Sequence, residues 1–223
     1  MKVNDGVCAN VTINGLTLKK DGSWQTICLP FDVEIEGSVL EGADVRTLES
    51  AKVRESFLLL NCFTPVTRLQ TGMPYIIKWD GGSDIVNPTF EDATIRYDSP
   101  MSVLAYDNNV RFGGSYSYRT FNSPDGTYYV DGSPILACTS SLEEDAFTAH
   151  FYFSSDLVST TSFIALNTDD EEDLIDLLTG IREVDNGQQA TDNGLSIYNL
   201  AGQRLSKKQK GVNIVDGKKL LVK

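Results

Sequence analysis

Several absences limit what this 223-residue chain can do. It contains one histidine, so a nucleophilic site that needs an imidazole base would have to use His150. Its apolar runs are too short for a membrane-spanning helix. Nucleophile elbows, zinc-protease helices, P-loops and dinucleotide-binding fingerprints are also missing. The sequence therefore does not indicate a reaction, and it predicts neither a catalytic residue nor a cofactor.

Acidic residues outnumber basic ones, and the excess is unevenly distributed. The chain carries 31 acidic and 19 basic residues, for a formal net charge of −12, yet residues 204–223 hold seven bases and one acid. Nucleic acids are bound largely through Lys and Arg at phosphates, and anionic lipid attracts basic segments in the same way. The acidic remainder of the chain therefore argues against both partners, and solubility is its simplest interpretation.

Cysteines are few and show no metal-site spacing. Cys8, Cys28, Cys62 and Cys138 form no Cys-x-x-Cys pair and have no histidine at ligand spacing. Each stands in an apolar, strand-like context, which predicts four free thiols. Two disulfides remain the alternative, with Cys28–Cys62 the first pairing to test. The acidic run 169–173 lacks the glycine and the alternation of a calcium loop, so no metal site is predicted.

Alternation of apolar and polar residues predicts strands. Every second residue is apolar in 27–35, 73–79 and 147–153, with Asp32, Glu34 and Glu36 on the opposite face of the first run. Residues 57–60 are apolar on both faces, which is typical of a central strand covered on both sides. Pro30 lies inside the first run and predicts an edge strand or a bulge there.

Turn signals separate these runs. Asx-Gly pairs, which favour hairpin turns, occur at Asn14-Gly15, Asp21-Gly22, Asp80-Gly81, Asp125-Gly126, Asp131-Gly132 and Asp216-Gly217. Short helices are conceivable at residues 42–52 and 171–178 alone. These patterns predict an all-β protein, with an antiparallel β-sandwich of roughly 10–14 short strands and a short C-terminal β-hairpin tail.

Composition divides the chain into three parts. Residues 1–180 are predicted to form the β-sandwich body. Residues 181–194 are rich in Asn, Asp, Gly and Gln and are predicted to be a polar linker. Residues 195–223 form a C-terminal tail, in which two apolar-alternating strands flank Asp216-Gly217.

Five segments of the body carry a family resemblance. They are WQTICLPFDV (24–33), TPVTRLQTGMPYIIKW (64–79), VRFGGSYS (110–117), FTAHFYF (147–153) and Gly180-Ile181. In this order they resemble a module of secreted Bacteroides and Prevotella proteins. Thr148 and His150 depart from that pattern, in which Arg and Tyr are common. Such modules have no established activity, so the resemblance transfers no catalytic residue.

The tail carries a second resemblance. Residues 197–223, IYNLAGQRLSKKQKGVNIVDGKKLLVK, are similar to C-terminal sorting tails of Bacteroidetes proteins, some of which are read by the type IX secretion machinery. The resemblance implies export to the extracellular space or the outer-membrane surface, with that machinery as a partner. The first residues, MKVNDGVCANVTING, lack the apolar stretch of a signal peptide.

Tyrosines supply the candidate binding residues. Tyr116, Tyr118, Tyr128 and Tyr129 fall in a segment rich in Gly, Ser, Asn and Pro. Aromatic rings on loops or edge strands can present a flat face to a sugar or to a protein. The alternative is that Tyr116 and Tyr118 belong to an inward-facing ladder. The two tryptophans, at positions 24 and 79, are predicted to pack in or beside the core.

These observations favour a non-catalytic extracellular binding module whose ligand is a glycan or a protein. A structural or assembly domain without its own ligand is the first alternative. An unrecognised hydrolase is the second, and it would need a cleft containing His150 or two carboxylates. A binding module should expose a contiguous aromatic or apolar patch larger than a few hundred Å², and a structural domain should not. His150 is expected to lie exposed or hydrogen-bonded on the polar face of its strand.

Overall fold

Strands dominate the protein. Its computed structural model describes residues 2–54, 57–121, 127–130, 137–138, 142–161, 163–168, 181–183, 197–199, 204–205, 211–215 and 218–222. Within these ranges there are twenty-four strands, one 3-10 helix and one six-residue α-helix, which confirms the predicted all-β class. The chain divides into two compact units, Met1–Thr168 and Asp169–Lys223.

The first unit contains the strands β1 to β19, a 3-10 helix at Lys2–Asn4 and the helix α1 at Ser155–Thr160. The strands are β1 (Cys8–Thr12), β2 (Thr17–Leu18), β3 (Gln25–Ile27), β4 (Val33–Glu34), β5 (Asp44–Arg46), β6 (Ser50–Arg54), β7 (Phe57–Asn61), β8 (Arg68–Leu69), β9 (Tyr75–Lys78), β10 (Ile85–Val86), β11 (Thr89–Thr94), β12 (Ser102–Ala105), β13 (Val110–Ser115), β14 (Arg119–Phe121), β15 (Thr127–Tyr129), β16 (Ala137–Cys138), β17 (Leu142–Glu144), β18 (Thr148–Phe153) and β19 (Phe163–Asn167).

These strands form several small sheets. The largest has five strands in the order β12-β13-β18-β15-β16, and two three-stranded sheets run β19-β7-β6 and β3-β9-β5. Two-stranded pairs join β1 to β11, β2 to β10, β4 to β8 and β14 to β17. Among the described strands of this unit, β7 and β19 pair in parallel and the other pairs are antiparallel.

Two clusters of buried apolar residues make the core of this unit. One contains Phe31, Trp79 and Phe90, and the other contains Trp24, Phe112 and Phe151 among their aromatic members. Both tryptophans are buried, as predicted. All five residues of β7 are buried between its neighbours β6 and β19, which confirms the central strand predicted from its apolar run.

The alternating run 27–35 is not one strand. β3 ends at Ile27 and β4 begins at Val33, with Pro30 in the irregular stretch between them. Proline has no N–H for a strand ladder, so the ladder stops there. The Pro30 carbonyl instead accepts a hydrogen bond from the Arg96 amide at 2.7 Å. The alternation still holds around β4, where Phe31, Val33 and Ile35 are buried and the three acidic residues between and after them are exposed.

Three of the predicted hairpin turns are wrong. Gly15, Gly22 and Gly81 have positive φ angles, but the Asx residue before each does not, whereas a type I′ turn needs both. These pairs also connect strands that belong to different sheets. The turn of the β12–β13 hairpin instead places Tyr106, Asp107 and Asn108 at positive φ. The pairs at 125–126, 131–132 and 216–217 lie outside the described residues.

The helical expectations were also partly wrong. Residues 42–52 contain β5 and the start of β6, and 171–178 lie outside the described residues. The helix α1 was not predicted. Its N-cap is Ser154, whose hydroxyl accepts a hydrogen bond from the Leu157 amide at 3.4 Å, and the helix buries the Leu157 side chain.

The second unit contains a five-stranded sheet in the order β20-β24-β23-β21-β22. Its strands are β20 (Ile181–Glu183), β21 (Ile197–Asn199), β22 (Arg204–Leu205), β23 (Gly211–Val215) and β24 (Lys218–Val222). The antiparallel pair β23–β24 flanks residues 216–217, where the tail hairpin was predicted. β20 falls within the sequence assigned to the linker, and it pairs in parallel with β24. The boundary predicted at residue 180 stays a prediction beside the observed division after Thr168.

A candidate binding face on the five-stranded sheet

Tyr116 lies in the interior. Its side chain is 8% exposed, and its ring packs against that of Phe147 with centroids 6.3 Å apart. The Tyr116 hydroxyl donates to the Leu29 carbonyl at 3.4 Å, and burial raises the pKa of the phenol well above its ordinary value. The predicted role of Tyr116 as a ligand contact is therefore corrected, because its ring belongs to the packed interior.

Tyr118 faces solvent. The chain bends at Tyr116 and Ser117, and the Tyr118 side chain is 54% exposed, so the two tyrosines do not form one inward ladder. Desolvation, followed by a hydrogen bond to the Glu143 carboxylate, raises the pKa of Tyr118. The backbones of Tyr128 and Tyr129 lie in β15, but their side chains are outside the described part of the structure, so their place in a binding face stays a prediction.

Three exposed side chains form a row across β12, β13 and β18. Leu104 pairs with Arg111, and Arg111 pairs with Tyr152, so the three residues project from the same face of the sheet. Leu104 is 52% exposed, Tyr152 is 40% exposed, and Arg111 is also exposed. Residues on the opposite face, including Phe112 and Phe151, pack into the second core cluster.

A cation–π contact orders this row. The guanidinium carbon of Arg111 lies 5.4 Å from the centroid of the Tyr152 ring. The next row along the sheet contains exposed Ser102 beside buried Gly113. We call the exposed set Ser102, Leu104, Arg111 and Tyr152 the Tyr152 face. It combines one aromatic ring, one aliphatic side chain, a guanidinium and a hydroxyl on a rigid sheet.

His150 limits the extent of the face. It pairs with Gly113 in the same register and is only 4% exposed, so of the two expected states, exposed or hydrogen-bonded, the exposed one is wrong. In the row Ser102–Gly113–His150 the sheet is therefore covered at His150 and open at Ser102, whereas the row Leu104–Arg111–Tyr152 is exposed. Within the described part of the chain, no three His, Cys, Asp or Glu side chains converge as metal ligands.

One feature of the sequence could have identified this face. In the run 147–153 the alternate apolar residues face the core, which leaves Tyr152 on the outward side. An aromatic residue at an outward position of an otherwise regular strand is a candidate contact. The partners Leu104 and Arg111 carry no such local signal, because strand pairing brings them to Tyr152.

Comparisons with known proteins add no homologue. No family model matches the chain, and neither a curated protein nor a solved structure matches it. Among the described helices, none has both the length and the apolar character needed to cross a membrane. The function is therefore argued from the geometry of the described residues, and the resemblance to secreted Bacteroides and Prevotella modules stays a prediction.

Proposed function

We propose that this protein is a non-catalytic module that binds a glycan through the Tyr152 face. The observation that carries the proposal is the exposed Arg111–Tyr152 pair on an ordered sheet surface. The C–H face of a sugar ring stacks on an aromatic ring, while hydroxyl groups accept hydrogen bonds from a guanidinium. Both groups are held in place before the ligand arrives, which lowers the entropy lost on binding.

The size of the face favours a glycan over a protein. Neighbouring strands lie about 4.8 Å apart, so a row across three strands spans about 10 Å. A standard protein interface buries about 800 Å² on each partner. The Tyr152 face, bounded on one side by buried His150, is closer to the footprint of one or two sugar rings.

Burial of the histidine argues against one form of the hydrolase alternative. His150 is the one imidazole in the sequence, and at 4% exposure it has little access to a bound substrate, which disfavours a site that needs an imidazole base. On the resemblance of residues 195–223 to sorting tails, we also propose that the module acts in the extracellular space or at the outer-membrane surface, with the secretion machinery as a partner of the tail.

Affinity electrophoresis of the full chain in gels containing soluble polysaccharides tests this function. The panel comprises xylan, mannan, pectic galactan and mixed-linkage β-glucan. We expect at least one to retard wild-type protein, and we expect Tyr152→Ala and Arg111→Ala to weaken binding by about tenfold or more, because each removes half of the contact pair. Isothermal titration calorimetry with the retarding polysaccharide then gives the affinities.

Matched controls come from the same chain. Phe63 is an aromatic residue with 39% exposure, nearly that of Tyr152, and Arg119 is an exposed arginine on β14, so Phe63→Ala and Arg119→Ala should bind like wild type. Tyr118→Ala tests the exposed tyrosine predicted from sequence. Failure of every polysaccharide, or wild-type affinity in Tyr152→Ala, would refute the proposal and favour a protein ligand or a purely structural domain.

A further inference from the structure

A polar pocket lies away from the Tyr152 face, beside β4, β8 and β11. It has a volume of about 290 Å³, and its lining residues are Asp32, Arg68, Thr71, Asp92, Thr94 and Arg96. Each lining side chain is charged or carries a hydroxyl group. None of them belongs to the Tyr152 face, so an argument for this pocket stands apart from the proposed role of that face.

On one side of the pocket, hydrogen bonds and ion pairs within the protein hold the side chains in place. Asp32 Oδ1 accepts hydrogen bonds from the Thr71 amide and hydroxyl, both at 2.7 Å, and Asp32 Oδ2 accepts one from Arg68 Nη2 at 2.6 Å. Arg68 Nη1 lies 3.2 Å from the Glu34 carboxylate, its cross-strand neighbour. Partial burial disfavours ionisation of Asp32, but these bonds outweigh it and hold the pKa of the carboxyl below its ordinary value.

The other side of the pocket presents two charged groups that are available to a ligand. Asp92 and Thr94 lie on β11, and Arg96 follows two residues beyond Thr94. Within the described residues, no hydrogen bond or ion pair uses the Asp92 carboxylate or the Arg96 guanidinium, although both side chains line the pocket. These two groups therefore offer an acceptor and a set of donors to a ligand.

A bulge in β11 sets the position of Asp92. Ala9 pairs with Ala93 and Val11 pairs with Phe90, so two residues of β11 stand opposite the single residue Asn10. Asp92 has a φ of 49°, and its amide donates to Asn10 Oδ1 at 3.2 Å. A bulge changes the direction of a side chain, which here brings the Asp92 carboxylate to the same pocket as Arg96.

We propose that this pocket is a second binding site, which takes one neutral hexose unit through its hydroxyl groups. The two carboxylates and two guanidinium groups of the pocket sum to a formal charge of zero. The carboxylates would repel a simple anion, and the guanidinium groups would repel a simple cation. A hydroxyl group both donates and accepts, so a sugar donates to Asp92 and accepts from Arg96. A volume of about 290 Å³ is near the lower end for ligand pockets and suits a single ring.

Amide-detected NMR titration of the full chain tests this site. The probes are D-glucose, D-galactose and D-mannose, each added separately at millimolar concentration. We expect one or more of them to produce saturable shifts in the amides of Thr71, Thr94 and Arg96. Asp92→Asn and Arg96→Ala should each raise the dissociation constant by about tenfold, since each removes a charge-assisted hydrogen bond.

Two exposed residues outside the pocket supply matched controls. Asp80→Asn and Arg119→Ala make the same chemical changes and should leave the hexose affinity unchanged. Tyr152→Ala should lose polysaccharide retardation and keep these shifts, which separates this site from the Tyr152 face. Wild-type protein that shows saturable hexose shifts but is retarded by no polysaccharide would refute the proposed function alone. The wild-type amide dispersion in each variant shows that the fold is kept.

Glycine and sodium acetate form the comparison arms. If glycine or acetate shifts these amides and no hexose does, the pocket is a zwitterion or anion site and the hexose assignment is overturned. Absence of shifts with all three hexoses overturns it as well. Equal affinity in wild type, Asp92→Asn and Arg96→Ala would place the sugar elsewhere on the surface and would also overturn it.

Discussion

Asn167 Nδ2 donates a hydrogen bond to Asn61 Oδ1 at 2.9 Å across the parallel pair β7–β19. Both side chains are buried, and Asn61 Nδ2 in turn donates to the Ser50 hydroxyl on β6 at 3.0 Å. One chain of hydrogen bonds therefore joins all three strands at the same end of this sheet. A buried amide pair has no water to replace a lost partner, which makes the contact costly to break.

Asn167→Ala is expected to destabilise the protein by about 1–3 kcal/mol, because it leaves the buried Asn61 Oδ1 without its donor. Urea denaturation followed by fluorescence measures the change. Ser50→Ala is the matched control, since Ser50 is exposed and water can replace its hydroxyl. A loss below about 0.5 kcal/mol for Asn167→Ala would show that the amide pair contributes little.

Gly114→Ala should be strongly destabilising. A Cβ at this position would collide with the Cys28 Sγ and would lie 3.0 Å from the Cys28 Cβ and 3.4 Å from the Gly72 carbonyl oxygen. Overpacking of this kind costs about 1–3 kcal/mol. At the adjacent Gly113 the nearest atom would be the Ser102 hydroxyl at 3.2 Å, so Gly113→Ala should cost less. Thermal denaturation compares the two, and Cys28→Ala should partly rescue Gly114→Ala.

The thiols should differ in reactivity. Cys62 is fully buried, and desolvation, followed by the nearby Glu49 carboxylate, raises the pKa of its thiol to about 12. Cys28 is also buried, and its thiol donates to the Gly72 carbonyl at 3.2 Å, whereas Cys8 is an exposed free thiol. Because the thiolate is the reactive form, Cys8 should react first with Ellman's reagent, and Cys62 should react only after unfolding.

A Cys138→Ser background removes the remaining cysteine, whose side chain lies outside the described residues. In that background the native protein should show a single fast-reacting thiol, which Cys8→Ser should abolish. Fast reaction of a second thiol in the native state would contradict the burial of Cys28 and Cys62. Fewer than three thiols after unfolding without a reductant would indicate a disulfide.

Asp32 should add stability that depends on pH. Its folded pKa lies below the ordinary value of 3.8, so its contribution is present above 3.8 and is lost as the pH falls through the lower folded pKa. The Asp32 side chain is 45% exposed, so the contribution should be less than about 1 kcal/mol. The melting temperature of Asp32→Asn should lie slightly below that of wild type at neutral pH, and the two melting temperatures should converge as the pH falls below 3.8. A difference in melting temperature that persists in acid would indicate that Asp32 stabilises the fold through packing and not through its charge.

His150→Ala should cost more than its polar strand position predicts. From sequence alone a loss within about 1 kcal/mol was expected, as for a surface position. Since the side chain is 4% exposed in the middle of β18, we now expect about 1–3 kcal/mol. Glycan binding should survive in the folded fraction, because His150 is outside the Tyr152 face. A stability change below about 0.5 kcal/mol would restore the surface interpretation.

Local patterns predicted the parts of the fold that depend on local chemistry. Ala149, Phe151 and Phe153 belong to the second core cluster, Phe147 packs against the first, and the fully apolar run in β7 lies at the centre of its sheet. Periodicity identifies the buried face of a strand but does not show whether another layer covers its polar face, which is why His150 was misplaced. The Asx-Gly pairs gave turn positions but not the strands that each turn connects.

The candidate sites were harder to predict, because each depends on residues far apart in sequence. Tyr116 and Tyr118 are two residues apart, yet a bend places one in the core and the other in solvent. Arg111 and Tyr152 meet only through the register of β13 and β18. The polar pocket likewise needs the contact between Asp32 and Thr71, which are 39 positions apart. No local pattern encodes these registers.

The parallel pair β7–β19 has a consequence during synthesis. Asn61 and Asn167 are 106 positions apart, so β7 gains its second neighbour only after nearly the whole first unit has left the ribosome. Closing so long a loop is slow, because its entropy is lost before the strand contacts compensate for it. Until then a nascent chain carries an apolar strand with one open edge, which is a surface that chaperones bind and neighbouring chains can join.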